Sequence, residues 1–166
     1  MMLLMYSDLL QKLSMLRYLM RKIISADKYI HYTTAKKVIT MSNIKYNEQE
    51  EAYELPYKLW DTPQTVRFYV DSEEEIMKNL SAIAQKLAKV DGSRQQIAEQ
   101  VIDDGFYEGG DPEALTKVLE LRNVYVDFDD GDIIVCFETG TNDGYMKDFI
   151  SVELFADMFE IIDWVG

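Results

Sequence analysis

The sequence predicts an α+β fold: an antiparallel sheet that closes with a C-terminal meander, central helices on one face of that sheet, and an N-terminal amphipathic helix. Three observations lead to this prediction. Apolar residues recur at three- and four-residue steps near the N-terminus and again after residue 72, as on one face of a helix. Apolar and polar residues alternate on both sides of Asp130-Gly131, as in a hairpin with one buried face. The length of 166 residues is that of one ordinary domain.

Residues 1–35 are predicted to form the N-terminal amphipathic helix, mainly over residues 3–26. Leu9, Leu13 and Leu16 lie on one stripe, while Lys12 falls away from it. The apolar sector is wide and therefore needs burial. The sequence leaves open whether this helix packs on its own domain, forms a homo-oligomer, or lies on a membrane surface with a basic face.

A cytoplasmic location is predicted. The longest unbroken apolar run at the N-terminus, Met1 to Tyr6, is far shorter than the roughly 20 residues of a transmembrane helix. The N-terminus also lacks the small-residue cleavage site of a signal peptide. Cys136 is the only cysteine, which excludes an internal disulfide and fits a reducing compartment.

Residues 36–166 are predicted to form one α+β domain, with strands in 36–70, helices in 72–121 and the meander in 123–165. The first strand is expected over residues 38–46, and turns are expected at the segments NEQEE and TPQ. Pro56 indicates an edge position, because proline cannot donate a hydrogen bond to a neighbouring strand. The third helix is expected to have Asp111 as its cap and Pro112 at its first position.

The meander is predicted to begin with a hairpin whose turn is Asp130-Gly131, since Asp-Gly is a strong hairpin signal. This turn places six apolar residues on one face, in the pairs Val124/Phe137, Val126/Val135 and Phe128/Ile133. The other face carries the pairs Asp129/Asp132, Asp127/Ile134 and Tyr125/Cys136. A slip by one residue would move a strand's side chains to the other face, so the sorting supports this register.

The hairpin leaves more acidic residues than its turn requires. Asp129 and Asp132 are expected to oppose each other, which is unfavourable unless water, salt, a weak cation or a basic residue of a partner offsets it. A calcium loop of the EF-hand type does not fit, because Gly131 falls one position early and the flanks are strands. The candidate partner-binding residues, whose carboxylates are expected to cluster on one side, are Asp127, Asp129, Asp132, Asp143 and Asp148. Trp60 is a further candidate, which would be a contact residue if exposed and a core residue if buried.

Charge is unevenly distributed along the sequence. Residues 1–45 contain eight Lys/Arg and two Asp, a net charge of +6, whereas residues 46–166 contain nine Lys/Arg and 28 Asp/Glu, a net charge of −19. A body this acidic repels phosphates and argues against nucleic-acid binding. It would attract a basic protein and speed the encounter. The alternative is that the acidity only keeps the protein in solution.

The sequence offers little support for catalysis, and no catalytic residue, metal ligand or cofactor is predicted. The only histidine, His31, is interpreted as a boundary residue between the N-terminal helix and the first strand, and Cys136 as a half-buried strand residue. Phosphate-binding glycine loops, nucleophile motifs and His/Cys ligand clusters do not occur in the sequence. The alternative function is an enzyme that uses carboxylates, with or without a divalent metal. This alternative predicts at least three carboxylates that converge within metal-bonding distance.

The chain resembles a group of uncharacterised bacterial domains of unknown function (DUF-type), some of which occur among the immunity proteins of toxin systems. The matching segments are VYVDFDDG, DIIVCFETGTNDG, YMKDFISVEL and FEIIDWVG, with Trp60 matching an earlier tryptophan. The family has Gly-His before its third meander strand, where this chain has Lys147-Asp148, so no role of that histidine carries over. The resemblance implies an immunity-type protein. Together with the acidic charge of residues 46–166, it leads to the expectation of a non-enzymatic protein that binds a basic partner, for example a toxin.

Overall fold

The structure is a computed structural model that describes residue 39 and residues 41–162. The chain divides into two units after residue 35, and the described residues belong to the second unit. The predicted N-terminal helix, His31 and the last residues of the predicted meander lie outside the described residues.

The described residues form a seven-stranded sheet in which the strands follow one another in chain order. Every neighbouring pair is antiparallel except the third and fourth strands, which are parallel. A parallel pair requires a long crossover connection, and the helices supply it here. The strands are β1 (Lys45–Asn47), β2 (Ala52–Leu59), β3 (Thr62–Phe68), β4 (Glu120–Asp129), β5 (Asp132–Gly140), β6 (Ile150–Phe155) and β7 (Met158–Ile162).

Three helices in the described part of the chain connect β3 to β4: α1 (Glu73–Gly92), α2 (Arg94–Asp103) and α3 (Pro112–Val118). The predicted start of α3 is confirmed, because the Asp111 carboxylate accepts a hydrogen bond from the Glu113 N–H at 3.0 Å. α3 ends earlier than predicted, since β4 already begins at Glu120. The α+β class predicted from the sequence is confirmed for the described residues.

The helices cover one face of the sheet. The buried residues of all three described helices, among them Ile83, Leu87 and Val101, belong to one apolar cluster. The strand residues of that cluster, such as Val126 and Val135, all project from the same face, because side chains alternate along a strand. The core therefore lies between the helices and this face.

The predicted β4–β5 hairpin is confirmed at its turn. Asp130 and Gly131 both have positive φ, at 46° and 87°, as a two-residue turn of type I′ requires. Next to the turn, the predicted opposition of Asp129 and Asp132 is observed, as are the pairs Phe128/Ile133, Asp127/Ile134, Val126/Val135 and Tyr125/Cys136.

The predicted pairing of Val124 with Phe137 is wrong. The register shifts between Arg122 and Tyr125, so that Asn123 and Val124 together oppose Phe137 in a β-bulge. Asn123 has a φ of 49°, a left-handed conformation that asparagine tolerates better than most residues. Val124 and Phe137 both remain buried in spite of the extra residue.

The beginning of the sheet differs from the prediction in two places. The expected strand over residues 38–46 is shorter, because Met41–Asn43 forms a 3-10 turn and β1 begins only at Lys45. The turn expected at Thr62-Pro63-Gln64 lies instead at Trp60-Asp61, and Thr62 begins β3. Both turn residues have positive φ, and the Asp91 carboxylate stabilises this conformation by accepting the Trp60 N–H at 2.7 Å.

Pro56, for which an edge position was predicted, lies in β2, an inner strand of the described sheet, at a position that pairs with Thr65 of β3 but lies beyond the residues that pair with β1. β1 pairs with β2 only at Ala52, Tyr53 and Glu54. On the β1 side, Pro56 therefore has no neighbouring strand among the described residues, and its missing N–H costs no ladder hydrogen bond there.

Candidate functional site

The face of the sheet opposite the helices, here called the open face, is the candidate site. Strand register places one of its rows across all seven described strands: Lys45, Glu54, Arg67, Tyr125, Cys136, Glu153 and Glu160. On the strands β4–β7 the same face also carries Arg122, Asp127, Asp129, Asp132, Ile134, Glu138, Ser151, Phe155, Met158 and Ile162. The apolar cluster under the helices includes no residue of this face.

Large apolar side chains are exposed on the open face. Tyr125, Phe155, Met158 and Ile162 are between 37% and 42% exposed. Phe155 pairs with Met158 across β6 and β7, next to the turn that joins these strands. Grouped apolar side chains on a surface that also carries charges are typical of an interaction site.

Two pairs of like charges oppose each other across strands of this face. Glu153 pairs with Glu160 on β6 and β7, and Asp129 pairs with Asp132 on β4 and β5. None of these four carboxylates forms an ion pair with another described residue. Directly opposed like charges destabilise a sheet. The Lys86 ammonium attracts Asp132 at the β4–β5 pair, and a cationic group from outside would offset the repulsion between Glu153 and Glu160.

The structure separates the five aspartates that were predicted to cluster on one side. Asp127, Asp129 and Asp132 lie on the open face near the β4–β5 turn, whereas Asp143 and Asp148 lie in the loop after β5. β5 spans nine residues between the two groups, which amounts to about 25–30 Å at the usual strand rise. The prediction of a single acidic cluster is therefore wrong, because one extended strand holds its two halves apart.

Asp143 organises the loop between β5 and β6. Its carboxylate accepts hydrogen bonds from the Thr141 hydroxyl at 2.5 Å, from the Tyr145 N–H at 3.0 Å and from the Tyr107 hydroxyl at 3.1 Å. These donors hold the pKa of Asp143 below its ordinary value, with the Thr141 hydroxyl contributing most. The carboxylate is thus engaged in local structure, and Asp143 is not part of the candidate site.

Trp60 is a core residue in the structure, which removes it from the candidate contact residues. Only 6% of the residue is exposed. Its indole N–H donates to the Val90 carbonyl at 2.9 Å, and its ring lies 6.1 Å from that of Phe137, edge to face. The Arg94 guanidinium covers the ring at 5.4 Å from its centroid. The end of α1 and the sheet thus enclose this side chain.

Sequence reasoning missed the acidic and apolar residues of β6 and β7, namely Glu153, Phe155, Met158, Glu160 and Ile162. A signal was present, because acidic and buried apolar residues alternate in VEL and FEI. The alternation assigns each residue to a face but does not say which residues meet across the two strands. That information required the register.

Phe149 closes one end of the open face. Its ring packs over Gly140, where an added Cβ would lie 2.8 Å from the Phe149 Cγ. The Arg122 guanidinium covers the same ring at 3.8 Å from its centroid and forms an ion pair with Glu120 at 2.7 Å. Glycine in this strand marks the close approach of an aromatic side chain.

Replacing Gly140 with alanine is expected to lower the free energy of unfolding by about 1–3 kcal/mol, because the new methyl group overlaps the Phe149 ring. Urea denaturation measures this change. The control is Gly92→Ala at the end of α1, where a Cβ meets no atom within 4 Å; this variant is expected to be unchanged or more stable by up to about 1 kcal/mol. Equal stability of Gly140→Ala and the wild type would refute the described packing.

Cys136 is an unreactive thiol in this structure. Burial, which is the largest cause, together with the negative charges of Glu153 and Asp127, raises its pKa from 9.0 to about 12, although a hydrogen bond with Tyr125 acts in the opposite direction. A raised pKa keeps the thiol protonated at neutral pH, and the thiolate is the nucleophilic form. Nucleophilic catalysis by Cys136 therefore has no support here.

Iodoacetamide is expected to label Cys136 at pH 8 at least about a hundredfold more slowly in the native protein than in denaturant, because the thiolate fraction is lower. Mass spectrometry follows the labelling, and Cys136→Ser provides the unlabelled control. Similar rates in the native and denatured proteins would show that the thiol is exposed and ionised.

The described residues contain no group of three or more His, Cys, Asp or Glu side chains that could hold a metal ion. Among the helices of the described chain, none is both long and apolar enough to cross a membrane.

Comparisons with known proteins identify no relative of this chain. No protein-family model matches the sequence, no curated protein matches it, and no solved structure matches the fold. The resemblance to DUF-type domains thus remains a prediction from the sequence, and the residues of the open face carry the functional argument.

Proposed function

We propose that this protein is a non-enzymatic binding protein, of immunity type, that engages a basic protein partner through the open face of its sheet. The observation that carries the proposal is the opposed carboxylate pair of Glu153 and Glu160, which lies between exposed apolar side chains and has no ion-pair partner among the described residues.

The negative charge of the open face and of residues 46–166 as a whole favours a basic partner. A lysine or arginine placed between Glu153 and Glu160 would offset their repulsion and gain two attractions at once. Residues 46–166 carry a net charge of −19, and a charge of this size accelerates association with a basic protein, most strongly at low salt. Binding is therefore expected to weaken as salt is added.

The apolar side chains provide the contact area that charges alone do not. Aromatic residues and methionine are enriched in the buried centre of protein interfaces, while charged residues form the rim. Tyr125, Phe155 and Met158 are residues of these types, and they share the open face with Glu153 and Glu160. If the partner is a basic toxin and the open face masks it, the protein acts as an immunity protein. The sequence resemblance implies a role of this type.

Affinity capture from an extract of the producing cells tests this function. The full-length protein is expected to retain a basic protein at low salt and release it at high salt. Phe155→Ser is expected to lose most of this capture, because it removes an exposed ring from the proposed contact. Met77→Ser, an exposed methionine on α1, serves as the control and should capture like the wild type.

The proposal fails if the wild type retains no basic protein in a salt-sensitive manner. It also fails if Phe155→Ser captures the same protein as efficiently as the wild type, since the contact would then lie elsewhere.

A further inference from the structure

We infer that the partner segment bound by the open face is an amphipathic helix whose side facing the sheet has apolar residues at positions i and i+8 and a basic residue at i+4. The inference rests on the proposed function and specifies the shape and chemistry of what is bound. It follows from three observations: the order of side chains on β6 and β7, the backbone groups of the inner strands, which are already paired within the sheet, and the carboxylates of the open face.

The order of side chains along β6 and β7 is apolar, acidic, apolar. Phe155 and Met158 form one end, Glu153 and Glu160 the middle, and Ile162 the far end beside Ser151. The four residue steps from Met158 to Ile162 span about 13 Å. A helix rises about 12 Å over eight residues, so its apolar positions i and i+8 match the two apolar ends.

A helix suits a sheet face better than an extended segment does. The backbone groups of the inner strands are already paired within the sheet, so the open face offers an incoming segment side chains rather than ladder partners. An extended segment lying on this face would leave its own N–H and C=O groups unpaired, whereas a helix satisfies them internally. Helix-on-sheet layering is also what the opposite face of this sheet already shows.

The carboxylates of the open face indicate where the basic residues of that helix would lie. Position i+4 lies on the same side as i and i+8, and this position falls over Glu153 and Glu160. Asp127 and the exposed ring of Tyr125 lie on β4, which is separated from β6 by β5; Tyr125 is in the row of Glu153, and Asp127 is nearer to the β4–β5 turn. A second cation on the flank of the helix would meet the carboxylate of Asp127 and could stack on the Tyr125 ring.

Three synthetic peptides of one length test the inference against the full-length protein. The first is an amphipathic Leu/Ala/Lys helix of about 18 residues, longer than the roughly 12–15 residues at which isolated helices are marginal. The second carries two internal prolines, which prevent the helix. The third replaces each lysine with glutamate. Fluorescence anisotropy measures their binding.

The helical basic peptide is expected to bind at least about tenfold more tightly than either of the others, a difference of roughly 1.4 kcal/mol. Ile162→Ser is expected to weaken its binding, because the helix should reach that end of the surface, whereas Val118→Ser on the exposed side of α3 should not.

Equal binding of the helical and proline-containing peptides would overturn the inference but leave the proposed function intact, since a basic segment would then bind in extended form. Binding of none of the three would overturn the inference as well, and the capture of a basic protein from extract would still decide the proposed function separately.

Discussion

Trp60→Ala is expected to lower the free energy of unfolding by about 3–5 kcal/mol, the usual cost of removing a buried tryptophan ring. The ring contacts Phe137 and Arg94, and the indole N–H bonds to the Val90 carbonyl. The substitution removes these contacts but leaves residue 60 in its left-handed conformation, at a φ of 48°. Urea denaturation followed by circular dichroism measures the change.

Two further variants separate packing from backbone strain. Trp60→Gly is expected to be more stable than Trp60→Ala by up to about 1 kcal/mol, because glycine adopts a positive φ without steric cost. Met77→Ala, at an exposed position of α1, is expected to stay within about 0.5 kcal/mol of the wild type. If Trp60→Ala cost no more than Met77→Ala, the placement of the indole in the core would be refuted.

Glu160→Lys is expected to weaken capture of the basic partner about tenfold or more while it stabilises the fold. Lysine at this position faces Glu153 across β6 and β7. The change therefore replaces a repulsive pair by an attractive one, which is worth about 0.2–1 kcal/mol. The same change places a positive charge where the partner's cation would bind, and like charges at an interface reduce affinity and association rate. Denaturation and quantitative capture measure the two effects.

The matched control is Glu99→Lys on α2, an exposed position on the helix-covered side of the sheet. It alters the net charge by the same amount but lies away from the open face. Capture by this variant should fall only slightly, through the weaker overall field. Equal losses in Glu160→Lys and Glu99→Lys would show that net charge, rather than the open face, governs binding.

Short-range chemistry explains why part of the fold could be predicted from the sequence. Asp130-Gly131 permits a tight turn, and the alternation beside it sorts apolar from acidic side chains, so the hairpin register near the turn follows. Asp111-Pro112 likewise determines where α3 begins. In each case the deciding residues are neighbours in the chain.

The remaining features depend on contacts between distant residues. The turn at Trp60-Asp61 is stabilised by Asp91 and Val90, 30 residues and more along the chain, and no local pattern predicts a tryptophan with positive φ. The opposition of Glu153 and Glu160 requires the pairing of β6 with β7, which alternation alone does not specify. The aspartates near the β4–β5 turn and those after β5 were predicted to cluster, although the hairpin predicted from the sequence already places a strand between the two groups.

Carboxylate labelling with a carbodiimide, read by mass spectrometry on the full-length protein with and without its captured partner, tests the central claim most directly. The open face is expected to be protected, so the labelling of Asp127, Glu153 and Glu160 should fall severalfold on binding, while Glu99 and Asp103 on α2 should be labelled as before. Protection of the α2 carboxylates with unchanged labelling of Glu153 and Glu160 would contradict the assignment of the open face as the binding surface.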